Sequence, residues 1–277
     1  MNWGEGGLTG VGGLRLYRQS WIPEDHVRAV VVLAHGVCEH SSRYHHVAAP
    51  LAGEGYAVHA LDHRGHGRSE GPRALVDGLD NVVADLHALL EAAVSAHPGV
   101  PVFVLGHSMG GLVAVRYALA HQERLTGLVL SGPLAALEAA SPITRLTARV
   151  LSALTPRLGV IRIDSALISR DPEVVRAYDA DPLVFHDKLP ARTVAELEQA
   201  VRSLPARMPE ITLPTLIMYG SADHLCPPAG SVMLHERLGS SDKLLRVFNG
   251  LYHEIFNEPE QADVLAELRA WLRQHVS

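Results

Sequence analysis

Along this 277-residue chain, short runs of apolar and largely β-branched residues alternate with longer stretches in which apolar residues return every third or fourth position. The runs are Arg28 to Ala34, Ala57 to Leu61, Val102 to Leu105, Gly127 to Leu130, Thr215 to Tyr219 and Leu244 to Phe248, each closing near a Gly, Asp, Ser or Asn. Short apolar runs separated by helical patterns are the signature of βαβ units, so an α/β fold is predicted, with a mainly parallel central sheet flanked by helices. Ligands of such sheets bind outside the carboxyl ends of the strands. Residues just after the runs are therefore the first candidates for chemistry.

Between the strand ending near Ser131 and the one starting near Thr215, about eighty residues show no clear strand, too many for a loop inside a compact domain. A helical cap insertion is predicted at 133–211, with the core formed by 1–132 and 212–277. Leu134, Leu137, Ile143, Leu146, Val150, Leu151, Leu154 and Leu158 fall at helix-like spacing, with Arg145, Arg149 and Arg157 between them. That pattern predicts a cap helix packed on the body, with an apolar face also able to touch a lipid interface. No repeat or low-complexity linker suggests a second independent domain.

Composition narrows the function classes. Hydrophobic residues make up 47% and charged residues 19%, ordinary globular usage, so a large single core is expected. A net charge of −6 without a long basic run leaves no footprint for nucleic acid. Cys38 and Cys226 lie far apart and outside any CxxC spacing, which predicts free thiols rather than a zinc site or a disulfide. The N-terminal segment has neither the basic start nor the apolar stretch of a secretory signal, and no run approaches the roughly 20 apolar residues of a membrane span. A cytoplasmic protein is expected, with any membrane contact peripheral. His45 with His46, and His63 with His66, have no convergent carboxylate or thiol set beside them, so no metal or other cofactor is expected.

Chemistry concentrates at one strand end. Val102 to Gly111 reads VFVLGHSMGG and runs into the helical pattern LVAVRYALAHQ, which puts Gly106-His107-Ser108-Met109-Gly110 on a strand-to-helix turn. This is GxSxG in its required context, the nucleophile elbow of the α/β-hydrolase fold. A serine hydroxyl needs a base, and in this fold the acid and then the histidine follow the serine in the chain. After Ser108 come His121, His186, His224, His235, His253 and His275. His121 and His235 lie in helical patterns, His186 in the insertion and His275 at the end of the chain. His253 follows the strand LLRVF through a turn and precedes the last helix, where a loop histidine can reach the serine; His224 is the fallback.

For the acid, Asp223 follows the strand TLIMYG, whereas Asp181 and Asp242 read better as cap and turn residues. The oxyanion of acyl transfer needs two amide donors, expected at Met109, after the nucleophile, and at Val37, in the loop AHGVCEH after the first strong strand.

HGVCEHSSRY, LDHRGHGRSEGPR, GHSMGG, GSADHLCPP and GLYHE, in this order and spacing, resemble the monoacylglycerol lipase family, and the insertion's SRDPEVVRAYDADPL resembles its cap. The resemblance spans nearly the whole chain. It implies hydrolysis of monoacylglycerols, both positional isomers, to fatty acid and glycerol, with an apolar tunnel for the acyl chain and a cap that docks on membranes. It places Ser108, Asp223 and His253 on the family's triad, Val37 and Met109 on its oxyanion amides, and Glu39, Arg43 and Tyr178 on its glycerol pocket. An ion pair holding the oxyanion loop, with a packed cap tyrosine, is the alternative for the last three. Cys38 and Ser42 stand where glycines are usual, and Phe256 where some members carry a polar residue near the glycerol.

The same triad would serve a broader carboxylesterase or lysophospholipase, an acyltransferase or a cofactor-free haloperoxidase. A non-catalytic receptor has no use for an intact triad. The sequence leaves monomer and homodimer both open.

Overall fold

A computed structural model describes residues 1–137 and 150–276. Eight strands form the main sheet: β1 (Asn2–Thr9), β2 (Arg15–Ile22), β3 (Ala29–Ala34), β4 (Tyr56–Leu61), β5 (Val102–His107), β6 (Gly127–Ser131), β9 (Thr215–Gly220) and β10 (Lys243–Phe248), in the spatial order β1-β2-β4-β3-β5-β6-β9-β10. From β4 to β10 neighbours run parallel, while β1 and β2 form an antiparallel hairpin at one edge. All the apolar runs of the sequence are strands.

Side chains alternate across the sheet and build a core on each face. Val30, Val32, Val104 and Leu130 point to one side, where α2 (Leu79–Ala96) and α3 (Met109–His121) cover them. Helix α2 supplies Leu79, Val82, Val83, Leu86, Leu89, Leu90 and Ala93, the three-and-four spacing of a helix buried along one stripe. Val31, Leu33, Phe103 and Val129 point to the other side, under α1 (His45–Gly53) and the last helix, α7 (Gln261–Gln274). Helix α6 (Pro228–Arg237) buries Leu234 in the first core.

The chain passes from β3 outward to β4 and then returns to place β5 on the opposite flank of β3. Strand order reverses there, so the carboxyl ends of β3 and β5 border the crevice where an open α/β sheet binds its ligand. The loops after them carry HGVCEH and GHSMGG.

The insertion differs from its sequence pattern in three respects. Residues 133–137 are not helical: Leu134 and Ala135 are buried in the first core, and the Leu134 amide donates to the Ser108 carbonyl at 3.0 Å. Helix appears at 150–154, and Ile143, Arg145, Leu146 and Arg149 lie outside the described residues. A short antiparallel pair, β7 (Gly159–Ile161) with β8 (Leu189–Pro190), interrupts the expected all-helical character. Two helices follow the pattern, α4 (Pro172–Ala180), capped by the Asp171 side chain, and α5 (Ala191–Arg207). Helix α5 packs Leu197, Ala200, Val201 and Leu204 into the same core as α2 and α3.

Candidate active site

Ser108 sits between β5 and α3 with φ 56° and ψ −118°, a conformation that L side chains rarely adopt. The turn is tight enough that a Cβ on Gly106 would overlap the Gly110 carbonyl, and one on Gly110 the carbonyl of Ala34. The strain is held by hydrogen bonds. Ser108 N donates to Ser131 O at 3.0 Å, and Ser108 O accepts from the amides of Gly111, Leu112 and Leu134.

Asp223, in the loop after β9, and His253, in the loop after β10, are both buried and joined by Nδ1···Oδ2 at 2.8 Å. The other Asp223 oxygen accepts the amides of Leu225 at 2.9 Å and Cys226 at 2.8 Å, which fixes the carboxylate plane. Burial alone would push the His253 imidazole down, yet the Asp223 charge and hydrogen bond, with Glu254 and Glu39 beyond, carry the net shift upward. His107 packs its ring 4.6 Å from that of His253 and is pushed down to about 3 by burial and then by the His253 charge, so it stays a neutral spacer.

Ser108, His253 and Cys226 open into one cavity of about 350 Å³, whose wall includes Leu134, Leu137, Ile163, Leu167, Leu189 and Leu197. The wall is mostly apolar. Ser108 Oγ has Cys226 Sγ as its hydrogen-bonding neighbour at 3.8 Å, and burial pushes that thiol up, so it remains protonated. His224 lines the same cavity, but its ring lies edge-on against Tyr252 while Asp223 bonds His253. Asp181 bonds His40 Nε2 at 2.8 Å, and Asp242 bonds His275 Nε2 at 3.0 Å, so neither faces His253.

Val37 lines the cavity, and Met109, directly after Ser108, is the first residue of α3. Among the described residues neither backbone amide donates to a protein acceptor. The Val37 loop keeps a left-handed turn without the usual glycine: Cys38 adopts φ 69°, and its buried side chain packs with Ala74 and Leu189. Ser42 accepts a hydrogen bond from Gln19 on β2. Beneath the loop, His35 Nε2 accepts the His63 amide at 2.9 Å, which leaves its proton on Nδ1 to donate to Gly36 O at 2.7 Å. Burial and neighbouring imidazoles push His35 well below its ordinary value and His63 down to about 3, while burial takes His66 to about 4.

Glu39 and Tyr178 line the cavity, and Arg43 does not. Both Glu39 oxygens are already engaged: Oε1 accepts from Gly36 N at 2.6 Å and Tyr44 OH at 2.7 Å, and Oε2 from Arg43 at 2.8 Å. Arg43 also donates two hydrogen bonds to Glu254, and its guanidinium lies 4.7 Å over the Tyr178 ring. Phe256 is buried in the core under α1 and α7 and is not part of the cavity wall. Sequence reasoning passed over Glu254 and His107, although they adjoin the candidates His253 and Ser108 in the motifs it used.

A family model described as serine aminopeptidase, S33, matches residues 25–260. The chain is 45% identical over 273 residues to a monoacylglycerol lipase of Mycolicibacterium smegmatis, covering 98% of both chains. It is 36% identical to the monoglyceride lipase of Homo sapiens, covering 98% of this chain and 90% of that one. The crystal structure of the Paleococcus ferrophilus monoacylglycerol lipase superposes with a TM-score of 0.85 at 34% identity, over 94% of this chain and 99% of that one. Likeness this extensive, in sequence and in fold, settles the ancestry of the elbow and its cavity: the chain belongs to the monoacylglycerol lipase family of α/β-hydrolases.

Proposed function

We propose that the protein hydrolyses monoacylglycerols to fatty acid and glycerol through an acyl-enzyme on Ser108. The observation that carries the reading is the buried Asp223–His253 pair at 2.8 Å, whose histidine shares an apolar cavity with a strained serine at a helix N-terminus. Once Ser108 Oγ turns from Cys226 toward His253, the imidazole Nε2 accepts its proton as Oγ attacks the ester carbonyl. Val37 and Met109 amides receive the oxyanion; losing one such donor typically costs about 3 kcal/mol. His253 then gives its proton to the departing glycerol oxygen. Water, deprotonated by the same imidazole, attacks the acyl-enzyme, and collapse of the second tetrahedral intermediate returns the proton to Ser108 and releases the fatty acid.

A single acyl chain suits the aliphatic wall of the cavity, and Tyr178 with the edge of Glu39 offers the polar end for glycerol. Arg43 contributes from behind them. The insertion at 133–211 serves as the cap apart from Leu134, Ala135 and α5, which pack into the main core, and its exposed Leu137, Val150, Leu154, Leu158 and Ile161 suit peripheral contact with a lipid surface. Among the described residues no helix is long and apolar enough to cross a membrane. Buried free thiols at Cys38 and Cys226 suit a cytoplasmic setting. One chain supplies every proposed site residue, so a monomer suffices and a homodimer would add nothing to the chemistry.

The test compares monoacylglycerols with diacylglycerols and triacylglycerols for the natural enzyme and Ser108→Ala. Monoacylglycerols should be turned over fastest, and the variant should lose activity on the order of 10⁶-fold while staying folded. Turnover by Ser108→Ala, or preference for triacylglycerols, would refute the proposal.

A further inference from the structure

We propose that Arg43 and Glu254 are positioning residues, a buried clamp that holds the oxyanion loop and the loop of the general base in one fixed relation. The inference rests on the Ser108–His253 relay described above. One guanidinium joins the two loops: Arg43 Nη1 donates to Glu39 Oε2 at 2.8 Å and to Glu254 Oε1 at 2.6 Å, and Nη2 donates to Glu254 Oε2 at 2.7 Å.

On one side, Glu39 Oε1 takes the Gly36 amide at 2.6 Å, next to the peptide whose N–H is the Val37 donor. There is no slack at this point, because a Cβ on Gly36 would lie 2.8 Å from Glu39 Oε1 and 3.2 Å from Ser108 Cβ. On the other side, Glu254 directly follows His253, and its carboxylate also accepts from Asn257 Nδ2 at 2.7 Å. Its amide donates to Ile168 O at 2.8 Å, which ties the base loop to the cap. The cap meets the clamp a second time where Tyr178 stacks on the guanidinium.

Two carboxylates and one guanidinium are a poor source of stability, since burying charge costs about what pairing returns. What the cluster supplies is direction. Arginine is required for it, because only a planar fork can bond one carboxylate twice and a second at the same time. The cluster also touches the chemistry electrically. His253 faces Asp223, Glu254, Glu39 and His107, with Arg43 behind the glutamates, and Glu254 and Glu39 both favour its protonated form. Arg43 holds the Glu254 carboxyl below its usual range against the opposing effect of burial, so Glu254 stays charged beside the base.

The experiment uses Glu254→Gln and Arg43→Lys in the full chain, with a soluble p-nitrophenyl ester as substrate. Active enzyme is counted by fluorophosphonate labelling taken to completion. Misplacing reacting groups by about 1 Å costs up to roughly 100-fold. We expect kcat to fall about 10- to 100-fold in both variants, with KM little changed. Glu254→Gln should also move the acid limb of the pH–rate profile to lower pH, while Arg43→Lys, which keeps the charge and loses the fork, should leave the limb in place. Natural kcat and an unmoved limb, even with a lowered melting temperature, would overturn the proposal in favour of a purely structural ion pair. A loss confined to KM would overturn it in favour of direct substrate contact. Turnover by Ser108→Ala would instead remove the relay, whatever the clamp variants do.

Discussion

Replacing Asp223 by asparagine changes almost nothing in shape and should abolish nearly all turnover. The carboxylate divides its oxygens between partners, Oδ1 accepting the Leu225 and Cys226 amides and Oδ2 facing His253 Nδ1 at 2.8 Å. An asparagine must turn its carbonyl to the two amides, because the reverse orientation sets donor against donor twice. Its NH₂ group then faces Nδ1, which has to present a lone pair, and the imidazole proton moves to Nε2. That nitrogen can no longer accept the serine proton. The equivalent exchange in trypsin lowers kcat about 10⁴-fold, and a loss of the same order is expected here, roughly 5.5 kcal/mol at about 1.4 kcal/mol per tenfold.

A second signature follows from the electrostatics. The natural enzyme should lose activity on acidification through a value above 6.5, since His253 is shifted upward from there. Without the carboxylate, burial dominates and the limb should move down. The assay is kcat/KM for a soluble ester between about pH 5 and pH 9, with a thermal melt of both proteins. Activity of Asp223→Asn within tenfold of natural, with the limb unmoved, would refute the reasoning.

Two further outcomes are expected. Folding keeps His35, His63 and His66 neutral, so the unfolded chain binds more protons below 6.5 and stability must fall as pH drops from there toward the folded values. Each unit of pH is worth at most about 1.4 kcal/mol per such histidine; denaturant midpoints that stay level from about pH 7 to pH 4.5 would contradict this. On the cap, Leu154 is 77% exposed, so Leu154→Asp should leave the melting temperature and soluble-ester activity alone while slowing hydrolysis of vesicle-bound monoacylglycerol several-fold. Equal effects on both substrates would count against a lipid-facing role.

The central parallel strands β3, β4, β5, β6 and β9 were legible because each is a short apolar run buried on both faces and followed by a breaker, and the half-exposed edge strand β10 was legible by its place between two turns. The β1–β2 hairpin was not. β1 reads NWGEGGLT, exposes nearly every side chain and is held by backbone pairing with β2, so it leaves no hydrophobic period to detect. Leu134 was drawn into a cap helix by its spacing, whereas it extends from β6 into the main core, because a three-and-four period cannot distinguish a helix from a chain crossing a buried surface. At the site, chain order and strand ends pointed to Ser108, Asp223 and His253, which carry their meaning locally. The bond from Arg43 to Glu254 joins residues 211 apart, and no spacing rule foretells such a pairing. Cys38 shows the reverse: the motif located the left-handed turn, although its usual residue is missing.

Helix α5 belongs to the insertion by sequence but to the scaffold by packing, with Leu197, Ala200, Val201 and Leu204 beside the residues of α2 and α3. It also brings the chain back across the sheet to β9, the parallel neighbour of β6. Grafting a cap from one relative onto another thus has its natural seam ahead of residue 191 rather than at the end of the insertion. Cap residues upstream of that seam can then vary while the crossover that completes the sheet stays in place, with Leu197 of α5 as a fixed part of the cavity wall.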